Sequence, residues 1–208
     1  MKVFVKRKLW VYISADYAED SGDREVTAML NNWAADDIHD LDFFDTAQAK
    51  GSVSNDPDCR SCELKSEFNQ RINDSDYFIV IIGDKTRLRT AGSGCERYMK
   101  DCNECYCTPY KQNTNGQKPC KVKSTSPANG GDVGSINSYS YLQHEFEQAK
   151  RKNKPIIVLY NSLNHQKDWL PNYMKEFENS AQPFWIKNAN GDKVGNYNLV
   201  KNALRFNR

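Results

Sequence analysis

Several groups of residues in this chain have the types and spacing to do chemistry. Cys59-x2-Cys62 and Cys102-x2-Cys105 are two pairs at the spacing with which four thiolates close a tetrahedral zinc site. Cys95, Cys107 and Cys120 flank the second pair and offer a rival ligand set within one segment. Free or redox-labile thiols are the third reading. The chain has seven cysteines, an odd number, so a fully paired disulfide framework within it is excluded. Glu145 stands early in a helix-forming stretch, where the positive end of the helix dipole favours an ionised carboxylate. The alternative is a solvated helix glutamate. Ser14, Asp16 and Tyr17 follow an apolar run, and short polar side chains with backbone amides at such a place can meet ribose or phosphate, or simply cap the next helix. Lys85, Thr86, Arg87 and Arg89 follow another apolar run and could neutralise a pyrophosphate, or form a solvated basic loop. Tyr141 could stack on a nucleobase or pack at a helix start, and Asp45 fits a turn better than a ligand site. His144 and His165 are each lone histidines, which points to structural or solvent-facing roles.

These residues matter only if the surrounding elements bring them to one place. Residues 8–13 (KLWVYI) form an apolar run with strand character, ending in small and polar residues. Val26, Met29, Leu30 and Trp33 then recur at helical spacing, with Ser21 or Asp23 as the expected N-cap. Residues 41–44 make a short second strand, and 46–60 a polar, turn-rich loop. Leu64, Phe68 and Ile72 mark a helix over 63–73, and residues 76–84 (DYFIVIIGD) are the strongest strand signal, expected in the sheet interior.

Residues 88–139 lose both periods and are rich in Gly, Ser, Asn, Lys and Cys, so they are expected to be an insertion. From Tyr141 the helical stripe is Leu142, Phe146 and Ala149, leaving His144, Glu147, Gln148 and Lys150 outside it. Lys150, Arg151 and Lys152 suit the negative end of the helix dipole, and Asn153-Lys154-Pro155 ends the helix before the apolar strand 156–159. A short helix over 169–177, a strand at 183–186, a turn at 188–191 and a helix over 197–206 complete the chain.

Strands alternating with helices imply an α/β fold: one domain, residues 1–208, built on a flavodoxin-like parallel sheet of about five strands with helices on both faces. Ligands of such sheets sit at the carboxyl ends of the strands. That puts the loops after Ile13, Phe44 and Gly83 on one edge, beside the start of the helix bearing Glu145. The formal net charge is only +2 with no long run of one sign, which gives no support to nucleic-acid or membrane binding. No apolar stretch reaches the ~18 residues of a membrane span, and no apolar segment follows the basic start, so a soluble cytoplasmic protein is expected.

In order and spacing, KLWVYISADYAED, INDSDYFIVIIGDKT and YLQHEFEQAKRKNKPIIVLY resemble the bacterial TIR-like domains, especially the branch of the Thoeris anti-phage defence system. The resemblance spans residues 8–87 and 139–162. It implies a domain that binds NAD⁺ as substrate and breaks the nicotinamide–ribose bond. It further implies an ADP-ribose-derived, in some members cyclic, signal that reaches a separate effector protein; a homo-oligomer is left open. Matching the HEF triplet to the family's YEI triplet puts its catalytic glutamate on Glu145. Two departures stand out: His144 replaces the aromatic before that glutamate, and the Cys-rich insertion precedes it.

The chemistry agrees with a single acid. Breaking the N-glycosidic bond makes an oxocarbenium-like ribose that one carboxylate can stabilise, while the pyridinium is already a good leaving group. Two other readings stand beside this one, a non-catalytic TIR-type scaffold and a nucleoside deoxyribosyltransferase-like enzyme. A receiver domain suits the fold but not the residues at the end of the third strand.

Overall fold

A computed structural model of the chain describes residues 8–18, 20–39, 41–48, 60–89, 106–107, 118–119 and 140–205; for 60–66, 106–107, 118–119 and 205 it describes the backbone alone. Cys59, Cys95, Cys102, Cys105 and Cys120 lie outside the described residues, as do the side chains of Cys62 and Cys107. The four-cysteine zinc assignment and most of the 88–139 insertion therefore fall outside what is described.

In chain order the elements are β1 (Leu9–Ser14), α1 (Asp23–Ala35), β2 (Phe43–Asp45), α2 (Arg60–Asp74), β3 (Tyr77–Ile82), β4 (Tyr106–Cys107), β5 (Lys118–Pro119), α3 (Tyr141–Arg151), β6 (Ile156–Tyr160), β7 (Gln182–Pro183), β8 (Trp185–Lys187), β9 (Lys193–Gly195) and α4 (Tyr197–Arg205). They fall into two compact units. One comprises Met1–Ala49, Asp74–Leu88 and Asn153–Arg208, the other Lys50–Asn73 and Arg89–Lys152.

The first unit holds a five-stranded sheet in the order β2-β1-β3-β6-β7, every neighbouring pair parallel. This is the order of a flavodoxin-like α/β sheet. The chain steps outward from β1 to β2 and then crosses back to β3, so the topological switch point lies between β1 and β3. All six residues of β3 are buried, as the unbroken Tyr-Phe-Ile-Val-Ile-Ile run requires of a strand covered on both faces. One sheet face, with Val11, Ile13, Ile79, Ile81 and Leu159, packs against Val26, Leu30 and Trp33 of α1 and Val200 and Leu204 of α4. Each such side chain, taken fully out of water, contributes ~1.5–3 kcal/mol. On the alternate positions Tyr12, Phe78, Val80, Ile82, Val158 and Tyr160 are buried as well.

Several boundaries differ from the sequence expectation for identifiable reasons. Strand two is Phe43–Asp45, so Asp45 belongs to the ladder's end. The N-cap of α1 is Gly22, in the left-handed region at φ 71, rather than Ser21 or Asp23. The 169–177 segment is two 3-10 stretches, Lys167–Trp169 and Asn172–Phe177, separated at Pro171, which disfavours helix at the residue before it. The single strand expected at 183–186 is two: Gln182–Pro183 pairs with β6, and Trp185–Lys187 turns away into a hairpin with β9. Gly191, at φ 87, lies in that turn, and the Asn188 side chain accepts from the amides of Asn190 and Asp192.

The second unit holds α2, α3 and the antiparallel pair β4–β5. Ser140 caps α3, its hydroxyl accepting from the Gln143 amide at 3.0 Å, and Lys150 and Arg151 occupy the last turn. The buried side of α3 is wider than the predicted stripe. His144 and Gln148, expected outside it, are buried together with Leu142, Glu145, Phe146 and Ala149. Gln148 tolerates burial because its amide donates to Asn73 Oδ1 at 2.7 Å and its carbonyl accepts from Arg151 at 2.5 Å.

Candidate functional site

The carboxyl ends of β1 and β3 carry most of the sequence-predicted contact residues. β1 ends in Ser14, which is buried. The loop beyond it is held by its own hydrogen bonds: Asp16 Oδ1 accepts from the Ala18 amide at 3.0 Å, and the Asp16 carbonyl accepts from Ser21 Oγ at 2.5 Å. The Tyr17 carbonyl takes two N–H groups of Arg24, at 2.8 and 2.5 Å, while its ring is 43% exposed. These contacts order the loop, although the N-cap of α1 is Gly22 with no side-chain cap hydrogen bond, and they leave the Tyr17 ring partly exposed.

After β3 the chain turns at once. Thr86 is buried and staples that turn, its Oγ1 accepting from the Gly83 amide at 2.8 Å while its own amide donates to the Gly83 carbonyl at 3.2 Å. Lys85 reaches back to the first loop, its Nζ 2.7 Å from Asp20 Oδ2 and 3.1 Å from the Asp20 carbonyl. The two loops that flank the switch point are thus tied together by one ion pair. Asp45 is a turn residue: it is buried and accepts from the amides of Ile13 and Ala47 and from Asn31, and burial pushes its carboxyl above the usual range.

One buried chain at this edge was not foreseen. Asp23 is 0% exposed, its Oδ1 accepts from Asn161 Nδ2 at 2.9 Å, and Asn161 Oδ1 accepts from Trp185 Nε1 at 2.6 Å. Asp23 Oδ2 has no hydrogen-bond partner among the described residues. Burial pushes this carboxyl up to about 7; Asn161 opposes the rise, and the charges of Asp16 and Asp84 add to it. Gly83 makes room for the group, since a Cβ there would lie 2.6 Å from Asp23 Oδ1. A glycine directly after the most buried strand is the one local signal of such a close approach. Nothing local marks Asn161.

Compared with protein-family models, with curated proteins and with solved structures, the chain gives no match. Its own geometry must carry the argument.

Ser14, Asp16, Tyr17, Lys85 and Thr86 share the carboxyl edge of the first unit. Tyr141 and Glu145 belong to α3 in the second. The Tyr141 ring meets Phe68 of α2 edge-on, with centroids 5.8 Å apart, which is packing. Glu145 lies in the second turn of α3 and is 6% exposed, so it is not a solvated helix glutamate. Among the described residues there is no group of three or more His, Cys, Asp or Glu that could hold a metal ion. Nor is any described helix long and apolar enough to cross a membrane.

Proposed function

We propose that this protein is a TIR-like NAD⁺-consuming enzyme of the anti-phage defence type, with Glu145 as its catalytic carboxylate. The burial of Glu145 carries the reading. Withdrawing a carboxylate from water is costly unless its environment compensates, and here it happens at the one acid that the family resemblance selects. In the proposed reaction the C1′–N bond breaks, nicotinamide leaves with the bonding electron pair, and the carboxylate of Glu145 stabilises the ribosyl cation. Water captures that cation to give ADP-ribose, or a nucleophile of the same molecule closes a ring. The product then diffuses to a separate effector. Ser14, Asp16, Tyr17, Lys85, Thr86 and Tyr141 are the proposed substrate contacts, and Cys59, Cys62, Cys102 and Cys105 the proposed ligands of a structural Zn²⁺.

Purified protein incubated with NAD⁺, with lysate of infected cells supplied as trigger, is expected to release nicotinamide. Glu145→Gln should lower that release by about 100-fold or more, the scale of losing one preorganised charge-stabilising group. Equal inertness of wild type and variant, even with the lysate supplied, refutes the catalytic assignment. Metal analysis of the same preparation is expected to give one zinc per chain.

A second reading is a non-catalytic interaction domain. Trp10 and Phe44, adjacent in register on β1 and β2, are each 45% exposed with ring centroids 6.2 Å apart, the kind of surface a scaffold uses to self-associate. Concentration-dependent assembly without NAD⁺ turnover would select it.

A further inference from the structure

Beyond the switch point, the first unit carries a cleft that the reading above does not use. It has a volume of about 360 Å³, the scale of small-ligand sites, and its lining includes Arg87, Lys167, Asp168, Asn172, Lys175 and Glu178. Arg87 follows β3, and the other five follow β6, so the cleft belongs to the carboxyl side of the sheet, where ligands of α/β folds sit.

The charges in this cleft are unevenly matched. Lys167 and Glu178 satisfy one another at 2.8 Å. Arg87 and Lys175 form no side-chain hydrogen bond or ion pair among the described residues, although Lys175 also acts on Glu178 electrostatically, so the lining holds three cations against two carboxylates. An anion would redress that imbalance, since each cation could then donate a charge-assisted hydrogen bond to it. Lys85, by contrast, is already committed to Asp20.

We propose that this cleft binds the phosphoryl group of a small phosphorylated molecule. Arg87 and Lys175 supply the charge-assisted hydrogen bonds, with the guanidinium suited to take two phosphoryl oxygens at once. Lys167 lines the same cleft and can exchange its carboxylate partner for the ligand. Binding needs no bond to break and no glutamate on α3, so this site stands independently of the NAD⁺-cleaving reaction.

The test is calorimetric titration of the full chain, at low ionic strength, with inorganic pyrophosphate and separately with ADP. Both probes are expected to bind, and raising the salt should weaken both, since exposed cations are screened. Similar affinities mean that the phosphoryl group itself is recognised, and a tighter ADP complex means that it is taken as part of a nucleotide. Arg87→Gln and Lys175→Gln should each weaken binding about tenfold or more, the scale of a lost charge-assisted hydrogen bond. Lys187→Gln, an exposed lysine outside the cleft, serves as control and should leave the affinity unchanged. Absence of binding by the wild-type chain overturns the proposal. So does unchanged affinity in both Arg87→Gln and Lys175→Gln, or an equal loss in Lys187→Gln, which would mean diffuse attraction to surface lysines. Arg87, Lys175 and Lys187 are exposed, so melting temperatures near the wild-type value are expected throughout.

Discussion

Replacing Asp23 by Asn isolates one buried proton. In the folded chain burial raises this carboxyl from the ordinary 3.8 to about 7, so between those values the folded state keeps a proton that the unfolded state has lost. Stability therefore falls as pH rises through that window, and it levels off above about 7. The window spans about three pH units, each worth ~1.4 kcal/mol, so the wild type forgoes up to ~4 kcal/mol on passing from pH 4 to pH 8 through this group. Asparagine keeps the acceptor for Asn161 Nδ2 and never ionises. Urea unfolding of both chains from pH 4 to pH 8.5 is the assay, because the difference between them cancels every group they share. The variant should match the wild type within ~1 kcal/mol at pH 4 and exceed it by ~2–4 kcal/mol at pH 8. A difference that stays flat across this range would show that Asp23 carries its charge in the folded chain at neutral pH, and the account of its burial would be wrong.

Two further substitutions probe the same edge. Gly83→Ala puts a Cβ 2.6 Å from Asp23 Oδ1, so one of the two must shift; a loss of ~1–3 kcal/mol is expected by urea unfolding at pH 5. Thr86→Val keeps the side-chain shape but removes the acceptor for the buried Gly83 amide, with an expected cost of ~1–3 kcal/mol by the same assay. A Thr86→Val chain of unchanged stability would free Thr86 from its role as a turn staple.

How far the site could be seen in the sequence depends on the range of the interactions that build it. Thr86 and Gly83 are three residues apart, and a polar pair closing a turn after an apolar strand is a local signal. Lys85 meets Asp20 across 65 positions, and Asn161 meets Asp23 across 138, and neither partner carries any mark of the other. The α3 stripe failed in a different way. Periodicity assigns polar residues to water, whereas Gln148 is buried because Asn73 and Arg151 satisfy its amide. Asp23 was expected to cap a helix. It became a buried acid because the α1 start, the β3 turn and the end of β6 converge on it.

The α/β class, the end of α3 before Asn153-Lys154-Pro155 and the buried character of β3 were determined by the sequence itself, because side-chain periodicity and turn chemistry act over a few residues. The position of the switch point between β1 and β3, the burial of Asp23 with one free oxygen, the split of the last strand into β7 and the β8–β9 hairpin, and the gathering of Arg87 with Lys175 in one cleft were decided only by the tertiary structure. Strand order and burial depend on residues brought together from distant parts of the chain, and the charge state of a carboxyl follows from how much water those residues exclude.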